Sequence, residues 1–263
     1  MTVLEAHDGE HIGPRPADLP CSDELAWAAA LDRIRDLGRG FVWLHLDGPD
    51  DGQIRLAAQT FDLHPLAVEH VLRGRPRPKV EWYDDHLMVF LRTMTHVDGE
   101  PDPADGQLAI FLGVDFIVTC GRGRHHAADA VRSRARDGPV PEPPDVLLAI
   151  TDLVVRDYLE LAGLMRTEAD AIEEQVFARS SSGDIEQIYL LKRVALRLRR
   201  SIEPLTHGLR LFAEEHDDRI SLELRRSMRK GNGPDHRPDV SHVSPQGVAL
   251  TGGAPVPSGW SSR

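Results

Sequence analysis

The chain has 263 residues, 41% of them apolar and 28% charged, with a formal net charge of −11. That is enough length and hydrocarbon to bury a sizeable core. The acidic balance argues against a general nucleic-acid or anionic-membrane binder, since both need a basic footprint.

In chain order, residues 1–20 are polar with Pro and Gly and read as a flexible lead-in. "SDELAWAAALDRIRDLG" (22–38) predicts a helix with Ser22 as N-cap, Leu25, Ala28, Leu31 and Ile34 on one stripe, and Gly38 as its stop. "GFVWLHLDGPD" predicts a strand closed by a Gly-Pro turn. "DDGQIRLAAQTFDLH" and "HPLAVEHVL" predict two more helices, the latter with Pro65 in its first turn. Residues 73–80 then form a basic turn that prolines break, and "HLMVFLRTM" (86–94) is a strand. The acidic "HVDGEPDPADG" after it suggests calcium through Asp98, Asp102 and Asp105. It lacks the glycine at loop position six and a closing bidentate Glu, so it is read as a solvated hairpin loop. "QLAIFLG" and "DFIVTC" form a hairpin, and "RHHAADAVRSRARDG" a basic amphipathic helix. Its adjacent His125 and His126 point in different directions and do not pair on a metal.

Beyond the Pro-rich break at 138–145 the pattern changes to long helices. Leu147, Ile150, Val154, Tyr158, Leu161, Met165, Ile172 and Val176 make a stripe about 30 residues long, roughly 45 Å. After the turn "SSSGD", Ile188, Leu191, Ala195, Leu198, Ile202, Leu205, Leu209 and Phe212 alternate steps of three and four. Two such helices in sequence make an antiparallel hairpin. The run "KRVALRLRR" is its charged outer face rather than a nucleic-acid surface. From residue 231 periodicity stops, and 231–263 is expected to be a disordered tail.

No phosphate loop, nucleophile elbow, H-E-x-x-H or Cys/His zinc spacing is present, so an enzyme is not expected. The longest apolar runs, "LAIFLGV" and "FVWL", fall far short of the roughly 18–20 residues of a spanning helix, and no export signal opens the chain. Cys21 and Cys120 have no paired spacing, which fits a reducing cytoplasm, with Cys120 a small core residue ending a strand.

"LHPLAVEHVLRGRPRPKVEWYDDHLMVFLRT" resembles the cytoplasmic domain of the CorA family of magnesium and cobalt transport proteins. In that family a H-P-L helix with an acidic end precedes an R-P-K-V-E turn and an apolar strand. The likeness continues through "LAIFLGVDFIVTC", "LLAITDLVVRDYLEL", "IEEQVF" and "LLKRVALRLRRSIEPL", covering roughly residues 20 to 229. It implies an α/β fold, an α/β/α sandwich followed by a long-helix antiparallel hairpin. The chain then divides into the lead-in (1–20), an α/β domain (21–140), a hairpin that starts a stalk (141–230) and the tail (231–263).

The resemblance also implies Mg²⁺ or Co²⁺ as regulatory or transported ion, a homopentamer in the family, and a regulatory cation held by carboxylates between protomers. By position it marks Glu69, His70 and Asp157 as the metal region. Two departures stand out. Glu69–His70 replaces an acidic pair, and Lys230 stands where the family has an Asp of its regulatory site. Imidazole suits Co²⁺, whereas Mg²⁺ prefers oxygen ligands, and imidazole must be neutral to bind. The sequence shows neither the family's spans nor its Gly-Met-Asn motif. The expectation is therefore a cytoplasmic sensing domain cut short of its pore, weakly assembled and not transport-competent alone. The alternative is a stand-alone regulatory subunit that docks on a full-length homologue through its hairpin.

Overall fold

The computed structural model describes residues 2–7, 12–13, 24–73, 77–83, 86–100, 102–136, 142–177 and 184–215. Seven strands, β1 (Thr2–His7), β2 (Ile12–Gly13), β3 (Phe41–Asp47), β4 (Lys79–Tyr83), β5 (His86–Thr95), β6 (Ala104–Leu112) and β7 (Phe116–Gly123), form one sheet in the order β2-β1-β3-β7-β6-β5-β4. Among the described residues β3–β7 is the one parallel pairing; the others are antiparallel.

Side-chain alternation along these strands divides the core in two. Trp43, Leu87, Val89, Leu108, Ile110 and Ile117 face one side; Leu44, Met88, Phe90, Ala109, Phe111 and Val118 face the other. The second face is covered by α1 (Glu24–Leu37), α2 (Asp51–Thr60) and α3 (Pro65–Leu72). The first is covered by α4 (Ala127–Arg136), α5 (Pro143–Phe177) and α6 (Asp184–Glu215). The result is an α/β/α sandwich that continues into two long helices. Only residues 178–183 separate α5 from α6, and the two helices pack together, so they run antiparallel.

Local signals explain most of these bounds. Asp50 caps α2 by accepting from the Gln53 amide at 2.8 Å, while the Gln53 side chain accepts from the Asp50 amide at 3.1 Å. The stripe of α5 is buried as its spacing predicts, from Leu147 through Tyr158 to Leu161 and Ile172. On α6 the expected seam residues Leu198 and Leu205 are buried and Leu191, Ala195 and Ile202 half-buried, but Ile188 is exposed and Val194 and Ser201 join the buried line. The side chains of Leu209 and Phe212 lie outside the described residues. Pro204 is accommodated inside α6 without ending it.

Three expectations need correction. Residues 2–7, read as lead-in, form β1: Leu4 opposite Leu44 and Ala6 opposite Val42 add a strand that extends the sheet past β3. The basic turn 73–80 already contains the start of β4, where Val80 and Trp82 pack on the α5/α6 side. On α1 the buried line is Trp27, Leu31 and Ile34. Leu25 is 77% exposed, because the far larger indole of Trp27 takes the inward position. The Ser22 cap, most of the 138–145 break, the "SSSGD" turn, Lys230 and the tail lie outside the described residues.

Candidate functional site

Helix α3 begins at Pro65, with the His64 Nδ1 accepting from the Leu66 amide at 3.2 Å. Its apolar residues Ala67, Val68 and Val71 bind it to the sheet, and this fixes its last turn. Glu69 therefore points outward, exposed, 2.7 Å from Arg73 one turn on.

His70 does the opposite. Its ring meets Phe90 edge-on at 5.6 Å, and its Nε2 is buried with no hydrogen-bond partner among the described residues. Burial, and next the Lys79 ammonium, hold its pKa below the ordinary histidine value, against a hydrogen bond with the Arg77 backbone. His70 is thus a neutral imidazole at pH 7, partly inside the protein.

The strand beside it fills the space with its own cation. Lys79, Glu81 and Tyr83 share one face of β4: Glu81 accepts from Lys79 Nζ and from the Tyr83 hydroxyl, the latter at 2.6 Å. Burial alone would raise the Glu81 carboxyl, but these two hydrogen bonds outweigh it and hold it low. His64 stacks on Tyr83 at 4.7 Å. Lys79, whose charge lowers the His70 pKa, already pairs with Glu81, which makes this a poor environment for a second cation.

Asp157 lies on α5, on the other side of the sheet from α3. It is partly buried, and its Oδ1 is 3.7 Å from His126 Nε2. Burial raises its carboxyl above the usual range, with His126 opposing and Glu160 adding to the shift. Within one chain Glu69 and His70 are therefore neighbours on α3 whose side chains turn opposite ways, and Asp157 lies on the opposite face of the sheet. Among the described residues no group of three or more His, Cys, Asp or Glu side chains could hold a metal ion. Within a single chain these residues do not fit a bound regulatory cation.

Other suspected ligands find protein partners instead. His125 and His126 precede α4 and diverge, His125 towards Asp47 at 3.1 Å and His126 towards Asp157. Asp102 and Asp105, far from being merely solvated, are gripped by α6: Arg193 pairs with Asp102, and Arg197 lies 2.6 Å from Asp105. The basic run on α6 is thus directed largely at this chain's own carboxylates, with Arg199 pairing to Glu203 at 3.3 Å.

A polar cluster that the sequence reading passed over lies beneath α4, around buried His45. Its one sequence signal is a histidine set between Trp43 and Asp47 on a single face of an otherwise apolar strand.

A family model described as "CorA-like Mg2+ transporter protein" matches residues 38–231. The cobalt/magnesium transport protein CorA of Thermotoga maritima is 27% identical over 173 residues, 64% of this chain and 49% of that protein. The magnesium transporter ALR1 of Saccharomyces cerevisiae is 24% identical over 243 residues, 84% of this chain and 28% of that protein. The chain thus spans about half the length of the first relative and little over a quarter of the second. Among solved structures, the soluble domain of CorA from Methanocaldococcus jannaschii superposes with a TM-score of 0.62 at 14% identity, covering 87% of this chain and 86% of that one. The full-length CmaX protein gives 0.65 at 18% identity, covering 87% and 67%. At such identities the structural likeness shows the fold alone.

Proposed function

The chain belongs to the family of CorA-like Mg²⁺ transporter proteins, and from that membership we propose that its described residues act as a cytoplasmic divalent-cation sensor rather than as a conducting pore. The observation that carries this reading is the α/β/α sandwich running directly into the α5–α6 pair, in a structure with no described helix long and apolar enough to cross a membrane. Backbone groups in hydrocarbon must be satisfied within a helix or closed barrel, so transport requires spans beyond these helices.

The sensed ion in this reading is Mg²⁺ or Co²⁺. Since α3 and α5 flank opposite faces of the sheet, a site that uses Glu69 and His70 together with Asp157 has to draw them from two copies of the chain. Sensing is then metal-dependent self-association. Sedimentation velocity of the purified chain, with and without millimolar Mg²⁺ or Co²⁺, tests this. The expected result is a monomer that associates on adding either ion and fails to do so as Glu69→Ala or Asp157→Ala. Association indifferent to metal, or unchanged in both variants, overturns it.

A second reading, a regulatory subunit that docks on a full-length homologue, is favoured by the apolar side chains exposed on the long helices: Leu159, Leu164, Ile185, Ile188 and Tyr189. Under it, the chain changes Mg²⁺-dependent growth of a transport-deficient cell only when a full-length homologue is co-expressed. Rescue by the chain alone contradicts both readings.

A further inference from the structure

Helix α4 is held to the sheet in an unusual way. Its buried apolar residues are small, Ala127, Ala128, Val131 and Ala135, and bury little hydrocarbon beside the Leu, Ile and Tyr residues of α5. The rest of its contact is polar. His45 of β3, 1% exposed, places Nδ1 2.8 Å from the Thr119 hydroxyl of β7, which also accepts from Trp43 Nε1 at 3.1 Å. His45 Nε2 has no hydrogen-bond partner among the described residues and faces Asp129 Oδ1 of α4 at 3.9 Å.

Charged and titratable groups surround it from every element packed there. Arg132 on α4 lies 2.9 Å from Asp129 and 3.5 Å from Glu5 of β1. Glu5 is 3.9 Å from His7, whose ring stacks on Phe41. His125, entering α4, sets its ring edge-on to His45 at 5.9 Å and contacts Asp47 of β3. From α5 comes Asp157, through its contact with His126.

We propose that this cluster is an acid-operated latch: with His45 neutral α4 stays docked on the sheet, and protonation of His45 undocks α4, loosening the seat of α5 while the sheet remains folded. Burial dominates the site. It holds His45 down to about 4, Asp129 does not make up the difference, and Arg132 adds to the lowering. Once α4 lifts, the imidazole meets water and regains its ordinary value of about 6.5. The docked form thus has the depressed value, so docking is at full strength above about 6.5 and weakens as pH falls towards about 4. Each pH unit inside that window favours the undocked form roughly tenfold. A helix with so little apolar burial has small reserve against such a shift.

Hydrogen exchange of the full chain at pH 7.5, 6.0 and 5.0, corrected for intrinsic rates, tests the latch. Amides of 127–136 are expected to lose protection by ~10- to 100-fold between pH 7.5 and 5.0 while those of β5 and β6 keep theirs. His45→Gln abolishes that pH dependence; His125→Gln and His7→Gln leave it in place. Protection over α4 that does not change with pH, or that falls in step with the sheet, overturns the proposal. So does a pH dependence that survives His45→Gln or disappears in either control. Should His45→Gln fail to fold, the wild-type profile and the two controls decide the matter by the same criteria.

Discussion

His126 Nε2 stands 3.7 Å from Asp157 Oδ1, tying the segment ahead of α4 to the middle of α5. That contact only partly offsets the burial of the Asp157 carboxyl, whose pKa is raised overall. A raised carboxyl is one whose ionised form the fold disfavours, so its contribution to stability is lost as pH rises through the folded value. Asp157→Asn is therefore expected to raise the melting temperature at pH 7.5 by about 1–3 °C. In the sensing reading it also removes the response to Mg²⁺ and Co²⁺. A fall in Tm greater than about 2 °C contradicts the electrostatic argument.

In the reading of a cation site between copies, the histidine on α3 is expected to set an ion preference and its pH range. If His70 joins Glu69 in a site between copies, Co²⁺ raises Tm more than equimolar Mg²⁺ at pH 7.5, because imidazole suits Co²⁺ and Mg²⁺ prefers oxygen. Burial and Lys79 lower the His70 pKa, so the lone pair survives below the ordinary value of about 6.5. The preference is thus expected to persist at pH 6.0, and His70→Asp to shift it back towards Mg²⁺. Equal responses to the two ions in both proteins exclude His70 from any site.

Arg197 reaches across from α6 to Asp105 at 2.6 Å, Asp102 at 3.5 Å and the Pro103 carbonyl at 3.4 Å. Arg199, one turn from Glu203, is exposed on the outer surface. Arg197→Ala should cost about 1–2 kcal/mol in chemical denaturation, and Arg199→Ala at most about 0.5 kcal/mol. The gap should narrow in 1 M salt. Equal losses mean that the Asp102–Asp105 loop is not what seats α6.

Two glycines separate crowding from backbone strain. A Cβ on Gly106 runs into the Arg124 carbonyl, held by the Arg124 amide's bond to the Asp105 carbonyl, and into the hydroxyl of Thr93, its partner across the β5–β6 ladder. A Cβ on Gly48 meets nothing within 4 Å but sits at φ +62°. Gly106→Ala is expected to lose about 2–4 kcal/mol and Gly48→Ala about 1–2 kcal/mol, measured by urea titration. The reverse order refutes the crowding argument.

Where alternation or helical spacing was carried by large apolar residues, the sequence was a sound guide. The β6–β7 hairpin and the Leu147–Leu161 stripe lie where their patterns predict. The pattern failed where polar groups face inward. "TVLEAH" turns Glu5 and His7 into the protein and offers Leu4 as its single large aliphatic buried side chain, so it does not read as a strand. β4 is five residues long and alternates Lys, Glu and Tyr with Val and Trp after a proline-broken turn. The inward turn of His70 depends on which face of α3 the sheet claims, and the His45 cluster on residues 5, 45, 119, 129 and 132 meeting in space. Neither relation has a sequence period to reveal it.

The parallel pairing of β3 with β7 joins Val42 to Phe116 and Asp47 to Gly121. During synthesis, at about 5–20 residues per second, the partner strand is completed roughly 4–15 s after β3 itself. Through that interval β1, β3 and the first three helices have no finished sheet to pack on, since the core under those helices also draws on Met88, Phe90, Phe111 and Val118. The β5–β6–β7 meander, built from neighbouring strands, can close as soon as it emerges. The N-terminal third is thus made first yet waits for the meander. A nascent chain stalled near residue 100 should be a client for chaperones and proteases, while one that has also released α5 and α6, which cover the other face of the sheet, should not.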